Sequence, residues 1–170
     1  MSIPPQSCPS AFVAHTHEYT VVLDRPWRAA WEWLMRPETF IEGQPWPYRV
    51  EFLETMLPDG TIARGFDVGT LNAHHGPFMN FCGAVSRVDE RSDGAERDLE
   101  YSYGAYAIAF RLIRPHLLRI SVDAVDDGRC RVTAHVGSYV RRGWGGLWTT
   151  AQRCFWPGFG RSLRRGVPKA

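Results

Sequence analysis

The sequence predicts an α+β fold with a curved antiparallel sheet of seven strands, two short helices near the N-terminus and one long C-terminal helix. Apolar and polar residues alternate with a period of two through most of residues 48–136, and no helical segment separates the strands, which excludes a doubly wound parallel sheet. A long amphipathic segment follows this run. Because it supplies the long helix that can cover one face of the sheet, we expect the sheet to curve around it and to enclose a cavity.

The elements before the sheet are predicted from alternation and from the positions of prolines. His17–Leu23 alternates as a half-buried strand, and Asp24 with Pro26 marks the start of a helix. Apolar residues recur at helical spacing from Trp27 to Met35, and Pro37 ends that helix because proline cannot continue it. Residues 37–42 are predicted to form a second short helix.

The remaining strands are predicted from runs of period two that are bounded by turn residues. Pro58-Asp59-Gly60 and Asp126-Asp127-Gly128 predict tight turns. Residues 72–77 are interpreted as a connection between strands, and residues 90–98 as a charged turn. The predicted strands cover residues 48–57, 62–71, 78–88, 99–110, 118–124 and 130–136.

The C-terminal segment, predicted as a helix from Trp144 to Arg165, combines aromatic residues with positive charge. Residues 141–170 contain seven basic residues and no acidic one, so a chain with a formal charge of +2 has −5 on the rest of its length. We expect the arginines to face solvent and Pro157 to kink the helix. The residues expected to face the sheet are Leu147 or Trp148, Ala151, Phe155 and Phe159.

Length and composition predict one globular domain. The chain has 170 residues, of which 44% are hydrophobic and 22% charged. We divide it into an N-terminal arm (1–14), a domain (15–166) and a tail (167–170). We recognise no secretory signal, and the four cysteines form no CxxC pair, so we expect a cytoplasmic protein with reduced thiols. No nucleotide-binding glycine motif or metal-ligand spacing is apparent, so we expect neither cofactor nor metal.

This order of elements resembles the helix-grip fold of the START and birch-pollen-allergen superfamily (SRPBCC), which includes bacterial polyketide cyclase/dehydratase-like proteins. The resemblance covers roughly residues 16–165 and is most specific in the stretch HEYTVVLDRPWRAAWEWLMRPETFIEGQPWP. The hairpin ISVDAVDDGRCRVTAHV is similar to the last strand pair of that fold. The resemblance implies a ligand cavity between the sheet and the last helix, but it transfers no catalytic residue.

Strand parity and the resemblance together select the residues that we expect at this cavity. His74, His75 and Tyr103 are candidate acid–base catalysts, the two histidines because they titrate near physiological pH and precede a strand. An inward Arg64 would require an acidic partner or an anionic ligand. As alternatives, the aromatic residues fill the core, and Arg64 and the histidines face solvent. The candidate ligand-binding residues are Phe52, Arg64, Phe66, Tyr101, Tyr106, Ile120, Trp148 and Phe155.

Three functions stay open from the sequence. The first is a pocket protein for a small hydrophobic molecule, in the form of a cyclase or dehydratase acting on a polyketide-like or aromatic substrate. The second is a non-catalytic carrier of a lipid or an aromatic metabolite. The third is a module that uses its basic C-terminal helix to bind a membrane surface or a partner such as a second copy of the chain. We expect no nucleic-acid partner, because the body of the protein is acidic and carries no recognition motif.

Overall fold

Ten strands and three helices are present in the residues that the computed structural model describes, namely 6–44, 47–77, 79–102, 106–107 (backbone only) and 111–169. The strands are β1 (Phe12–Leu23), β2 (Arg49–Leu53), β3 (Thr55–Met56), β4 (Ile62–Ala63), β5 (Leu71–Gly76), β6 (Met79–Arg91), β7 (Gly94–Tyr101), β8 (Tyr106–Ala107), β9 (Ile113–Asp126) and β10 (Arg129–Arg141). The helices are α1 (Trp27–Leu34), α2 (Pro37–Glu42) and α3 (Gly145–Gly166).

Seven strands form one antiparallel sheet in the order β1-β10-β9-β7-β6-β5-β2, which confirms the predicted curved sheet with two short helices and a long C-terminal helix. The short strand β8 pairs with β6 and β9, and β3 pairs with β4 in a separate hairpin. Because β1 pairs with β10, the first strand lies beside the last one, and α3 packs back over both of them.

Helix α1 and the end of α3 cover the concave face of the sheet, which we define as the face toward the helices. The buried residues of α1 pack with inward residues of β1, β9 and β10 and with Leu163 of α3. Pro37 occupies the first turn of α2, where its missing N–H costs nothing, so the predicted break between the two helices is confirmed. The buried residues of α1 recur at helical spacing and are Trp27, Ala30, Trp31 and Leu34.

The region after the first hairpin differs from its prediction. The strand predicted at 62–71 is reduced to Ile62–Ala63, because Gly65 (φ 56°) and Gly69 (φ 97°) turn the backbone in a left-handed conformation. The chain then pairs with β2 and β6 as β5, so the predicted connection at 72–77 is wrong. His74 and His75 therefore lie on opposite faces of a strand and not on a loop.

The charged segment at 90–98 is mostly strand, because its charged side chains pair on the convex face. Arg87 Nη1 lies 2.7 Å from Glu96 Oε1, so charge does not interrupt the alternation of β6 and β7. The observed turn is confined to residues 92–93. As a consequence, Arg97 points to the concave face, opposite to its neighbour Glu96.

Helix α3 begins and ends within one residue of its predicted bounds and continues through Pro157. The residues that α3 buries lie one position after the residues predicted to face the sheet. Phe155, which was predicted to face the sheet, is 58% exposed. The observed row includes Gly160, where an added Cβ would overlap the hydroxyl of Tyr19. Hydrophobicity alone misses such a row, because its members are Gln152, Trp156, Gly160 and Leu163.

Two further points concern the ends of the domain. Strand β1 begins at Phe12, which pairs with Arg141, so residues 12–14 belong to the sheet and not to an arm. Gln6 also contacts the sheet, since Tyr139 Oη donates a hydrogen bond of 3.1 Å to its carbonyl oxygen.

In the described part of the chain, no helix has the length and apolar character needed to cross a bilayer.

Candidate functional site

A histidine and a tyrosine meet on the concave face of the sheet. His74 Nε2 of β5 lies 3.3 Å from Tyr101 Oη of β7. Phe81 of the intervening strand β6 completes the group: its ring stacks on His74 (4.6 Å between centroids) and meets Tyr101 edge-on (4.7 Å). The register produces this arrangement, because Phe81 is directly opposite His74 in the β5–β6 pair.

Burial moves the titration of both polar residues away from neutral pH. Loss of solvation lowers the pKa of His74 to about 4, with a smaller contribution from the charge of His75. Burial also raises the pKa of Tyr101, against an opposing effect of Arg97. At neutral pH the pair is therefore an uncharged imidazole and an uncharged phenol. Since acid–base catalysis is most efficient when the pKa lies near the working pH, this pair is better suited to binding than to proton transfer.

Arg97 extends the same face of β7 toward α2. Only 3% of its surface is exposed. Its guanidinium carbon lies 3.6 Å from the ring centre of Phe66 and 5.0 Å from that of Phe40. Burial lowers the pKa of Arg97 to about 9, which still leaves the side chain charged at neutral pH.

Helix α3 provides the opposite wall. Trp148 packs against Ile113 and Val140, and the buried Trp156 donates a hydrogen bond of 2.6 Å from Nε1 to Gln152 Oε1. The main strand contacts of α3 are with β1 and β10, so it crosses the sheet at one side.

One inward position on the central part of the sheet is only partly covered. Leu118 lies on β9 and faces the concave side opposite Val136, yet it is only partly buried, whereas Ile120, two residues along the same face, is 1% exposed. We call the region of the concave face around Leu118 the cleft. Leu118 packs there against two groups of aromatic residues, one with Phe81 and Tyr101 on the sheet and one with Trp156 of α3.

Several of the predicted site residues lie on the concave face, and two others fall outside the described residues. Tyr103 and the side chain of Tyr106 lie outside the described residues. Ile120 forms part of the packed core beneath α1. Phe52 meets Phe66 edge-on at 4.7 Å, next to Arg97. The predicted residues that face the concave side are Phe52, Phe66, His74, Tyr101, Ile120 and Trp148.

Three predicted residues do not face the sheet core. Arg64 lies in solvent 3.0 Å from Glu54, because it follows the short strand β4 at the start of a turn, so of the two alternatives the structure has the one in which Arg64 faces solvent and does not line the concave face. His75 is on the convex face, 3.6 Å from Glu51. Phe155 is exposed, and the prediction that it packs on the sheet is wrong.

Phe155 lies about 120° around α3 from Thr149, whose hydroxyl is 2.9 Å from His15 Nε2 on the edge strand β1. With 58% of its surface exposed, Phe155 faces solvent and not the sheet. Contact between Phe155 and a ligand stays a prediction.

Sequence reasoning missed Arg97 and Gln152. For Arg97 the sequence contained a signal. Leu99 and Tyr101 alternate on one face of the strand, and the same alternation places Arg97 on that face two residues earlier. For Gln152 no signal was present, because a polar residue is not expected on the buried face of an amphipathic helix.

A concavity of about 730 Å³ lies on the convex face. Leu117 faces this groove, whereas its neighbour Leu118 faces the cleft. Tyr101 contributes both to the lining of the groove and to the His74–Tyr101 pair. Its lining includes Met56, Leu71, Ser86, Glu100, His116 and Tyr139.

Neither a metal cluster nor a reactive buried thiol is found in the described residues. No three His, Cys, Asp or Glu side chains there come together in a way that could hold a metal ion. Burial raises the pKa of Cys130 to about 11 and also raises that of Cys82. Both thiols thus remain protonated at neutral pH, which makes them poor nucleophiles.

Comparisons with known proteins identify the fold. No family model matches the chain, and no curated protein sequence matches it significantly. Among solved structures, it is similar to the Zhui aromatase/cyclase of a Streptomyces species (11% identity, 93% of this chain and 100% of that one, TM-score 0.63). Truncated norcoclaurine synthase of Thalictrum flavum matches at 12% identity (95% and 98%, TM-score 0.62). A START superfamily protein of Mycobacterium smegmatis matches at 12% identity (90% and 97%, TM-score 0.62).

These similarities cover nearly the whole chain, so they concern the arrangement of the sheet and all three helices and not one part of it. The protein has the helix-grip fold of the START and birch-pollen-allergen type, as its sequence predicted. At identities of 11–12% they define the fold only.

Proposed function

We propose that this protein binds a small hydrophobic molecule in the cleft between α3 and the concave face of the sheet. The observation that carries the proposal is the partial exposure of Leu118 on an inward, central strand position. The aromatic walls supply apolar contact, and the uncharged His74–Tyr101 pair supplies a few fixed hydrogen-bonding groups. Apolar concavities with a small number of convergent polar groups are the usual form of small-molecule sites.

The experiment uses two adjacent residues as a matched pair. Leu118→Trp fills the cleft, whereas Leu117→Trp fills the convex groove. Binding of the fluorescent probe phenylnaphthylamine should weaken about tenfold or more in Leu118→Trp, because the added ring occupies the volume of the ligand. It should stay near the wild-type value in Leu117→Trp. No binding to the wild-type protein, or the reverse pattern in the two variants, would refute the cleft as the site.

Binding without turnover is the form of this function that we favour, because the pKa values of His74 and Tyr101 both move away from neutral pH. The alternative is a cyclase or dehydratase acting on an aromatic or polyketide-like substrate, which the similarity to an aromatase/cyclase supports. Mass spectrometry of the molecule that co-purifies with the protein distinguishes the two. After incubation with catalytic amounts of protein, a carried molecule keeps its mass, whereas a dehydratase substrate loses the mass of water.

A second candidate function is docking on an anionic lipid surface through α3. Trp144, Leu147 and Phe155 are 40%, 50% and 58% exposed and lie along one side of the helix. Exposed arginines at 153, 161 and 165 accompany this apolar stripe, and no acidic residue follows position 140. Apolar side chains beside arginines suit the headgroup region of an anionic bilayer.

A further inference from the structure

The charge of Arg97 has no acidic partner in the described part of the protein. Its neighbours Glu96 and Asp98 point to the convex face, where they bind Arg87 (2.7 Å) and Arg119 (2.6 Å) respectively. The closest acidic position along the concave face of the neighbouring strand is Glu90, which accepts a hydrogen bond of 2.7 Å from Trp31 Nε1 and makes no ion pair with Arg97.

Two nitrogens of Arg97, Nε and Nη2, are buried without a hydrogen-bond acceptor among the residues that the structure describes. These two atoms form the edge of the guanidinium that binds a carboxylate through two parallel hydrogen bonds. Arg119 uses the same two atoms for Asp98, with Nε–Oδ1 and Nη2–Oδ2 distances of 2.6 Å each. Arg97 therefore presents, on the inside of the sheet, the binding edge that Arg119 has already filled on the outside.

The aromatic neighbours of Arg97 do not replace an acceptor. Phe66 and Phe40 contact its guanidinium and stabilise the charge through their π faces. They leave the N–H groups of the free edge unsatisfied, and an unpaired buried charge is strongly unfavourable. A residue with this cost and no structural partner is expected where a ligand supplies the partner.

We propose that Arg97 binds the carboxylate of the ligand, so that the site takes a hydrophobic carboxylic acid. The inference rests on the proposed function and specifies its substrate class. The carboxylate pairs with the Nε–Nη2 edge of Arg97 at the α2 end of the concave face, next to Phe40 and Phe66, and the hydrophobic body extends past Tyr101 into the cleft. Tyr101 is on the same face of β7 as Arg97, which orients the ligand along that strand.

The test compares naphthoic acid with naphthamide, which has the same shape and no charge, as competitors of bound phenylnaphthylamine. Wild-type protein should require about tenfold or more naphthamide than naphthoate for equal displacement, as expected for a buried charge-assisted pair. Arg97→Met should abolish that preference while phenylnaphthylamine still binds. Arg64→Met, which removes an exposed arginine, should keep it.

Thermal unfolding separates a ligand-binding role from a purely structural one. Without ligand, Arg97→Met should melt at or above the temperature of the wild type, because a buried unpaired charge is replaced by an apolar side chain of similar length. Arg97→Lys keeps the charge but loses the two parallel donors, Nε and Nη2. Its preference for naphthoate over naphthamide should therefore fall as well. If phenylnaphthylamine binds to the wild type but naphthoate displaces it no better than naphthamide, Arg97 does not bind a carboxylate. The proposal that the cleft binds a hydrophobic molecule is then unaffected. If phenylnaphthylamine does not bind, the proposed function itself fails.

Discussion

The imidazole of His74 and the phenol of Tyr101 lie 3.3 Å apart on strands separated by β6, with the ring of Phe81 against both. This contact joins the edge half of the sheet, β2 and β5, to the central strand β7. It also brings two polar groups of the concave face into contact. Removing one group of the pair therefore tests both the packing and the chemistry of the cleft.

Tyr101→Phe should lower the free energy of unfolding by roughly 1 kcal/mol, because His74 Nε2 loses its hydrogen-bond partner while the ring packing is kept. Urea denaturation measures this change. Tyr139→Phe is the matched control, since it removes a hydroxyl that donates to the backbone carbonyl of Gln6 on the convex face. Equal phenylnaphthylamine affinity in wild type and Tyr101→Phe would show that the phenol does not contact this probe.

Acid should destabilise the protein through His74. Its folded pKa of about 4 lies below the unfolded value of 6.5, so between these values the unfolded chain binds a proton that the folded protein excludes. The free energy of unfolding should therefore fall as the pH decreases from 6.5 to about 4, by roughly 1–3 kcal/mol, since one unit of pKa difference corresponds to about 1.4 kcal/mol and the side chain keeps some contact with solvent.

The contribution of His74 is the difference between the wild type and His74→Gln, since the two proteins differ at this position alone. Urea unfolding curves at several pH values should show a shallower acid dependence in His74→Gln. His75→Gln, on the convex face of the same strand, removes only the smaller contribution to the lowered pKa of His74 and should change the dependence less than His74→Gln does. An unchanged slope in His74→Gln would contradict the assignment of its pKa.

The fold was predictable because period-two alternation and proline positions are local signals. The bounds of α1, α2 and α3 follow directly from Pro26, Pro37 and the amphipathic C-terminal segment. The site was less predictable, because its placement depends on strand register. The positive φ of Gly65 and Gly69, for example, displaces Arg64 into solvent and moves His74 into a strand.

Glycine substitutions in α3 should have opposite effects at two nearby positions. Gly160→Ala should destabilise the protein by roughly 1–3 kcal/mol, because the new Cβ overlaps the hydroxyl of Tyr19. Gly158→Ala has open space, with the nearest side-chain atom 3.8 Å away on Arg161, and should stabilise α3 by up to about 1 kcal/mol. Adding Tyr19→Phe to Gly160→Ala should recover part of the loss. Equal effects of the two alanines would mean that α3 does not approach β1 this closely.

Docking on anionic lipid should depend on the exposed stripe of α3. Wild-type protein should float with vesicles that contain phosphatidylserine and not with pure phosphatidylcholine, and salt should weaken the binding. Replacing Leu147 and Phe155 together by serine should reduce the bound fraction roughly tenfold, because two large apolar side chains leave the interface. Ile62→Ser, which removes an exposed apolar residue elsewhere, should have no effect. Absence of flotation at low salt, with concentration-dependent dimerisation that the serine variant loses, would instead assign the stripe to self-association.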